Sequence, residues 1–225
     1  MDQKLEQTRA LLAEFGQEHL LNFYQTLSPF EQTDLVNSIL NLDFKLIESL
    51  YHNLVLNPVN QLNEANPEPL TPRYWDRLEP QTRNQYRNLG LELIRESKVA
   101  AVLVAGGQGT RLGHSGPKGT FNLGLPSGKS LFQLQAERLL NLARQTGTTV
   151  PWYIMTSAEN HSVTTAFFKE NHYFGYPEAH LFFFQQDQLP VIDAAGKILL
   201  AEPGKINLGP NGNGGCFLAL DRSGA

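Results

Sequence analysis

An apolar run that ends in a cluster of glycines constrains this chain more than any other stretch. The run extends from Val99 to Ala105, and the loop after it holds six glycines between positions 106 and 119. An apolar run of this length, bounded by turn signals, indicates a β-strand buried on both faces. Open α/β sheets bind ligands in loops at the carboxyl ends of such strands. The stretch therefore predicts a buried strand that leads into a ligand-binding loop.

The composition of this loop favours an anionic ligand. Glycine lets backbone N–H groups approach an anion without a Cβ in the way. Arg111 and Lys118 add two fixed positive charges to the same loop. From these residues alone we expect a site for the phosphates of a nucleotide, although either cation can also be an ordinary solvated loop charge.

Strand and helix patterns alternate from residue 98 onward. Helical periodicity covers residues 130–144 and 159–170, and short apolar strands are predicted at 152–155 and 181–184. This order predicts an α/β fold with a parallel, doubly wound sheet. Residues 191–200 read as a β-hairpin, and residues 210–215 form a second glycine-rich loop before a last helix.

The chain before this sheet reads as helical. Residues 1–57 are predicted to form a small packed helical region, in which Ser28 to Glu31 has the pattern of a capping box and Asp43 caps another helix. A second helix is expected around residues 20–27. Residues 58–97 are predicted as a proline-rich connector followed by a helix, and residues 98–225 as the nucleotide-binding domain, incomplete at its C-terminal end.

Composition excludes several classes of protein. The formal net charge of −4 disfavours partners such as nucleic acid or an anionic membrane. No apolar run reaches membrane-spanning length, and the N-terminus does not resemble a targeting peptide. The single cysteine, Cys216, fits a reducing cytoplasm, where we expect it to be a packing residue. The spacing of the histidines predicts no zinc site.

Two familiar phosphate-binding templates fit poorly. The dinucleotide fingerprint G-x-G-x-x-G needs a third glycine where this chain has Leu112. Residues 128–130 match the Gly-Lys-Ser end of the Walker A pattern, but this chain has Leu123 where that pattern requires its first glycine. Residues 124–128 read more simply as a turn before the next helix.

A third template matches at every position. Residues 105–113 read Ala-Gly-Gly-Gln-Gly-Thr-Arg-Leu-Gly, and residues 117–119 read Pro-Lys-Gly. This pattern resembles the sugar-nucleotide pyrophosphorylases, whose first strand and helix of a Rossmann-like sheet are joined by this loop. The similarity continues through the strings at 124–127, 131–138, 151–157, 184–186 with 189–190, and 210–215. These strings resemble the UDP-N-acetylhexosamine pyrophosphorylases more than the UDP-glucose enzymes. Residues 16–21 also resemble the N-terminal region of that family.

The resemblance implies a Rossmann-like nucleotidyltransferase sheet preceded by a helical region. It implies transfer of a uridylyl group from UTP to N-acetylglucosamine 1-phosphate, which gives UDP-N-acetylglucosamine and pyrophosphate with Mg²⁺ as cofactor. The sugar phosphate attacks the α-phosphorus in line, and it needs no general base because it is already an anion. Catalysis then depends on positioning and on neutralisation of charge.

The resemblance also assigns roles to residues. Arg111 is expected to hold the β- and γ-phosphates, and Lys118 to neutralise the α-phosphate. Thr110 belongs to the nucleotide site but can equally cap a helix. Gln186 is expected to pair with uracil, with Gln185 as the alternative register, and Asn213 to reach the sugar nucleotide. The other expected nucleotide contacts are Val104, Ala105, Gly106, Gly107, Gly109, Pro210 and Gly212.

Family members are roughly twice as long as this chain, so it resembles their N-terminal half. The metal-binding aspartate, a further lysine and most sugar contacts are expected beyond residue 225, with no metal ligand in this chain. We therefore expect the chain alone to be inactive or nearly so. A UDP-glucose or broader UDP-sugar pyrophosphorylase, and a non-catalytic nucleotide-binding module, remain as alternatives.

Overall fold

The structure, a computed structural model, describes residues 2–57 and 68–224. The first ten residues of the stretch predicted as a proline-rich connector, residues 58–67, lie outside this description. The chain divides into two compact units. One contains Met1–Glu68 and Gln188–Pro210, and the other contains Pro69–Asp187 and Asn211–Ala225.

The two units contain the helices and strands at the following positions. The α-helices of the described residues are α1 (Asp2–Glu14), α2 (Pro29–Leu40), α3 (Phe44–Tyr51), α4 (Pro80–Arg95), α5 (Leu131–Thr146), α6 (His161–Glu170) and α7 (Cys216–Ser223). The strands are β1 (Ala101–Val104), β2 (Trp152–Thr156), β3 (Leu181–Gln185), β4 (Gln188–Pro190), β5 (Leu200–Glu202), β6 (Lys205–Ile206) and β7 (Leu208–Pro210). None of the helices in these ranges is long and apolar enough to span a membrane.

Local sequence signals explain where the helices of the first unit begin. Both halves of the predicted capping box form at Ser28 and Glu31, ahead of α2. The Asp43 carboxylate accepts a hydrogen bond from the Leu46 N–H at 2.9 Å and caps α3. The expected helix at 20–27 was wrong: two short 3₁₀ turns, Glu18–Leu21 and Tyr24–Thr26, take its place. These turns still bury Leu20 and Tyr24, the apolar residues that suggested the helix.

Residues 188–210 pack with the helices of the first unit. Strand β4 pairs antiparallel with β7, and β5 pairs antiparallel with β6. The expected hairpin is present as an antiparallel bridge between Ile192 and Ile198. The buried Gln17 side chain donates to the Gly196 carbonyl at 2.9 Å and accepts from the Ile198 N–H at 2.9 Å. A distant segment of the sequence thereby completes the core of the helical unit.

The second unit is built on a three-stranded parallel sheet in the order β1-β2-β3. Side chains alternate across it, so that Trp152 and Ile154 pack with Phe132 of α5 and Phe168 of α6. On the opposite face Met155 packs with α7. This arrangement confirms the predicted α/β class with a parallel sheet. Cys216 lies in the second of these cores, as expected of a packing residue.

The first strand differs from its prediction. It spans only Ala101–Val104, and Val102 and Val104 are 47% and 45% exposed. The prediction of a strand buried on both faces was therefore wrong for this chain. Among the described residues, strand β1 pairs with β2 alone and is at an edge of the sheet, whereas α7 packs over β2 and β3.

Candidate nucleotide-binding site

The glycine loop leaves the carboxyl end of β1 and closes on itself. The Lys118 N–H donates to the Gly107 carbonyl at 3.0 Å, and the Gly109 N–H donates to the Gly116 carbonyl at 2.9 Å. These two bonds pair the outgoing and returning arms of the loop. Between them the chain makes a short 3₁₀ turn at Thr110–Leu112, which ends at Gly113 with φ +67°. Only glycine adopts that backbone conformation without strain.

A histidine fills the interior of the loop. A Cβ on Gly109 would lie 2.8 Å from His114 Cδ2, and one on Gly116 would lie 3.0 Å from His114 Nε2. His114 Nε2 is 2.7 Å from the Thr120 hydroxyl, which donates to the Pro117 carbonyl. Two of the glycines are therefore required because the imidazole ring occupies the space of a side chain. His114 has a packing role here, and the sequence did not reveal it.

Three consecutive backbone N–H groups in this loop lack a partner. Gly106, Gly107 and Gln108 donate to no acceptor within the described part of the chain. Unpaired backbone donors are uncommon in folded proteins unless water or a ligand accepts from them. Successive N–H groups in a loop form an anion-binding concavity.

One of these three residues, Gly107, lines a cleft of about 180 Å³. Its wall includes the expected site residues Val104, Ala105, Gly107 and Lys118. The remaining lining residues come from the end of β1, from the returning arm of the loop and from the start of α5, namely Leu103, Gly119, Leu131, Phe132 and Gln135. The apolar members of this lining are Leu103, Val104, Ala105, Leu131 and Phe132, and Lys118 brings a positive charge to it.

Arg111 and Lys118 are exposed, and neither has an acidic partner among the described residues. Lys118 lines the cleft, whereas Arg111, Thr110 and Gly109 belong to the 3₁₀ part of the loop and do not line it. The lysine of the Walker-like string behaves differently. Lys129 binds Glu137 at 2.7 Å, and this contact lowers the pKa of the Glu137 carboxyl. Lys129 is therefore already neutralised by the protein.

Gln186 reaches the loop from the end of β3. Its backbone N–H donates to the Thr156 carbonyl at 2.8 Å. The side-chain Oε1 lies 3.0 Å from the position that a Cβ on Gly106 would take. Gln186 is buried and Gln185 is exposed, so the structure places Gln186 and not Gln185 against the glycine loop.

The second glycine-rich loop begins beside Gln186. The Asn211 N–H donates to the Asp187 carbonyl at 3.1 Å, which tethers the loop to the residue after Gln186. Gly212 has φ +75° with open space around its Cα, and Asn213 starts a short 3₁₀ turn before α7. Pro210 belongs to the other unit, where it is opposite Gln188 in the β4–β7 pair.

Two polar residues that contact the start of the glycine loop were not predicted as site residues from the sequence. Asn160 and Ser157, which follow β2, lie next to Ala105 and Gly106. The only sequence signal was their position, between a predicted strand and a predicted helix. Ligand-binding loops of such sheets are at this edge.

The residues present do not form a metal centre. Within residues 2–57 and 68–224 no three His, Cys, Asp or Glu side chains are grouped so that they could hold a metal ion. Nearby acids are paired with cations instead: Glu137 with Lys129, and Asp187 with Arg222 at 2.8 Å. We therefore assign no chemical step to a metal bound by this chain.

A parallel sheet, a glycine loop with three N–H groups that have no acceptor among the described residues, and the exposed cations Arg111 and Lys118 are features typical of α/β proteins that bind nucleotide phosphates. Residues 48–225 match the family described as UTP–glucose-1-phosphate uridylyltransferase, and the chain belongs to that family.

Within this family, the chain is similar in sequence to proteins named for UDP-N-acetylglucosamine. The chain is 38% identical to the UDP-N-acetylglucosamine pyrophosphorylase of Saccharomyces cerevisiae over 95% of its own length and 47% of that protein. It is 40% identical to the UDP-N-acetylglucosamine diphosphorylase 2 of Arabidopsis thaliana, over 94% of this chain and 45% of that protein. The chain thus spans about half the length of these relatives.

A comparison with a solved structure supports the same family and fold. The uridine diphosphate N-acetylglucosamine pyrophosphorylase of Trypanosoma brucei, in complex with an inhibitor, matches with a TM-score of 0.73 and 31% identity. The match covers 93% of this chain and 43% of that chain. The resemblance found in the sequence is therefore confirmed, both for the family and for the α/β fold.

Proposed function

We propose that this chain forms the UTP-binding part of a uridylyltransferase that makes UDP-N-acetylglucosamine and pyrophosphate from UTP and N-acetylglucosamine 1-phosphate. The observation that carries the proposal is that the N–H groups of Gly106, Gly107 and Gln108 have no acceptor among the described residues. Gly107 lines the same cleft as Lys118, whose ammonium has no acidic partner in that part of the chain. Together they offer donors and positive charge to a polyphosphate. An anion site next to a partly apolar cleft suits a nucleoside triphosphate better than free phosphate, because the cleft can hold the nucleoside.

The proposed chemistry is an in-line displacement at the α-phosphorus of UTP. An oxygen of the sugar phosphate forms the new P–O bond, while the bond to the β,γ-pyrophosphate breaks and its electron pair leaves with pyrophosphate. Lys118 stabilises the charge that spreads over the α-phosphate oxygens. Arg111 binds the departing pyrophosphate, for which its planar guanidinium supplies paired donors.

The nucleobase is proposed to bind at the end of β3. The Gln186 carboxamide can donate to one group of the uracil imide edge and accept from another. Its position against Gly106 would place the base next to the glycine loop. Gly212 and Pro210 are proposed as further contacts to the nucleotide, and Asn213 as a contact to the sugar nucleotide.

Mg²⁺ is part of the proposal as the ion that accompanies the nucleotide phosphates. Magnesium is usually bound through one or two carboxylates together with substrate oxygens. The described residues provide no such cluster, so further ligands would have to come from outside them. The sugar phosphate is proposed from the names of the relatives at 38% and 40% identity.

Substitution of Gly107 by alanine tests the site without disturbing the fold. No atom lies within 4 Å of the position that a Cβ would take, and φ there is not positive. We expect an unchanged melting temperature but UTP binding at least tenfold weaker, about 1.4 kcal/mol, because the methyl group would occupy the space of the phosphates. Calorimetric titration with UTP measures the effect. Unchanged affinity would place the phosphates elsewhere.

Turnover distinguishes the enzyme from a binding module. Pyrophosphate release is measured with UTP and either N-acetylglucosamine 1-phosphate or glucose 1-phosphate. UTP binding without release from either sugar phosphate agrees with a chain that supplies only the UTP-binding part. Release with glucose 1-phosphate alone would contradict the proposed sugar.

A further inference from the structure

The side chain of Asn160 is an almost fully buried polar group, 1% exposed, in the turn between β2 and α6. A carboxamide without hydrogen bonds is costly in such a place. Both polar atoms of the Asn160 carboxamide form hydrogen bonds. Nδ2 donates to the Ala105 carbonyl at 3.0 Å, and Oδ1 accepts from the Ser157 N–H at 2.9 Å. Because the Ser157 N–H can only donate, these partners fix which end of the amide faces Ala105.

The bond to Ala105 is made where the regular sheet ends. The Ala105 N–H donates to the Met155 carbonyl at 2.7 Å, one residue after the end of β1. This bond continues the pairing of β1 with β2. The Ala105 carbonyl lies beyond that ladder, and Asn160 supplies its donor. The side chain thus connects the ends of two neighbouring strands directly below the glycine loop.

The bond also fixes the donor that follows it in the chain. The Ala105 carbonyl and the Gly106 N–H belong to one planar, trans peptide group, in which they point in opposite directions. Holding the oxygen therefore sets the direction of the Gly106 N–H, which has no acceptor among the described residues. A hydrogen bond to the carbonyl also polarises the peptide and strengthens its N–H as a donor.

The surroundings of Gly106 depend on the same contact. A Cβ there would lie 3.0 Å from Gln186 Oε1 and 3.4 Å from the Ser157 nitrogen. Asn160 binds Ser157 on one side and Ala105 on the other. The Asn160 side chain therefore holds two backbone groups next to Gly106: the Ala105 carbonyl that precedes it and the Ser157 N–H that lies beside it.

We propose that Asn160 is a positioning residue that orients the Gly106 N–H toward the bound nucleotide by holding the Ala105 end of the same peptide group. This role rests on the proposed UTP site. It also predicts an effect in the unliganded protein, because the orientation of Gly106 exists before UTP binds.

The experiment compares Asn160→Ala and Asn160→Leu with a matched control, Thr164→Ala. Leucine fills the volume that alanine vacates, so the pair separates lost hydrogen bonds from a cavity. Thr164 lies on α6, one turn after Asn160, and is also buried, but its hydroxyl has no hydrogen-bond partner among the described residues. Thermal unfolding identifies the temperatures at which each variant is folded.

The first measurement is the chemical shift of the Gly106 amide by NMR without ligand. We expect a shifted signal in both Asn160 variants, but not in Thr164→Ala. The second is UTP titration, where we expect both Asn160 variants to bind at least tenfold more weakly and the control to bind as wild type. An unchanged Gly106 amide in a folded Asn160 variant would overturn the inference, whether or not UTP binds. Failure of the wild type to bind UTP, with the amide effect present, would contradict the proposed function only.

Discussion

Replacement of Lys118 by methionine is expected to weaken UTP binding by about tenfold to a hundredfold. Lys118 lines the cleft beside the unpaired loop N–H groups and has no acidic partner among the described residues. A hydrogen bond from a charged donor contributes about 1.5–3 kcal/mol, which corresponds to that range of affinities. The loss should be smaller at high salt, because screening already weakens the attraction in the wild type. Calorimetric titration at two salt concentrations measures both effects.

Lys129→Met is the matched control for this substitution. Lys129 lies in the same part of the chain but is bound to Glu137 at 2.7 Å. Its removal should leave UTP affinity unchanged and should raise the pKa of Glu137 toward the ordinary value, since Lys129 is the largest cause of the depression. Equal losses of affinity in the two variants would mean that the lysines act through general charge, and not through a site at Lys118.

Gly119→Ala should cost about 3 kcal/mol of folding free energy, the upper part of the usual range for overpacking. A Cβ on Gly119 would overlap the ring of Phe132, which is 1% exposed and belongs to the core under the sheet. The ring also contacts Phe167 and Phe168, so a shift of the ring away from a new Cβ would disturb these contacts. We expect the unit that contains the sheet to melt roughly 6–12 °C lower, as measured by calorimetry.

Gly90→Ala is the control for the loss of a glycine as such. Gly90 is inside α4, and no atom lies within 4 Å of the position of a new Cβ. Alanine should be neutral there or stabilise the protein by up to about 1 kcal/mol, because it favours helix more than glycine does. If Gly119→Ala were as stable as Gly90→Ala, the close packing of the loop on Phe132 would be disproved.

Local sequence patterns predicted the elements near the site well. The alternation of apolar runs and helical periodicity indicated α5, β2, α6 and β3 in the correct order, with the strands in a parallel sheet. Ser130 caps α5 and Gly147 ends it, as capping preferences predict. The glycine pattern predicted a tight loop after β1, and the structure contains one, in which Gly109 and Gly119 lie too close to other side chains for a Cβ.

Features that depend on distant residues were not predictable in the same way. Nothing in residues 188–210 indicated that Gln17 would bind their backbone, because that contact joins segments far apart in the sequence. The exposure of Val102 and Val104 follows from the position of β1 at the sheet edge, whereas an apolar run alone indicates burial. Asn160 and His114 resembled ordinary turn residues until their partners were known.

Titration of the 225-residue chain with UTP and ATP in parallel tests the central claim most directly. The proposed site combines phosphate donors with a carboxamide, Gln186, that is matched to the uracil edge. We expect UTP to bind with one-to-one stoichiometry and at least tenfold more tightly than ATP. Equal affinities, or no binding of UTP while the protein is folded, would contradict the assignment of this loop as a uridine nucleotide site.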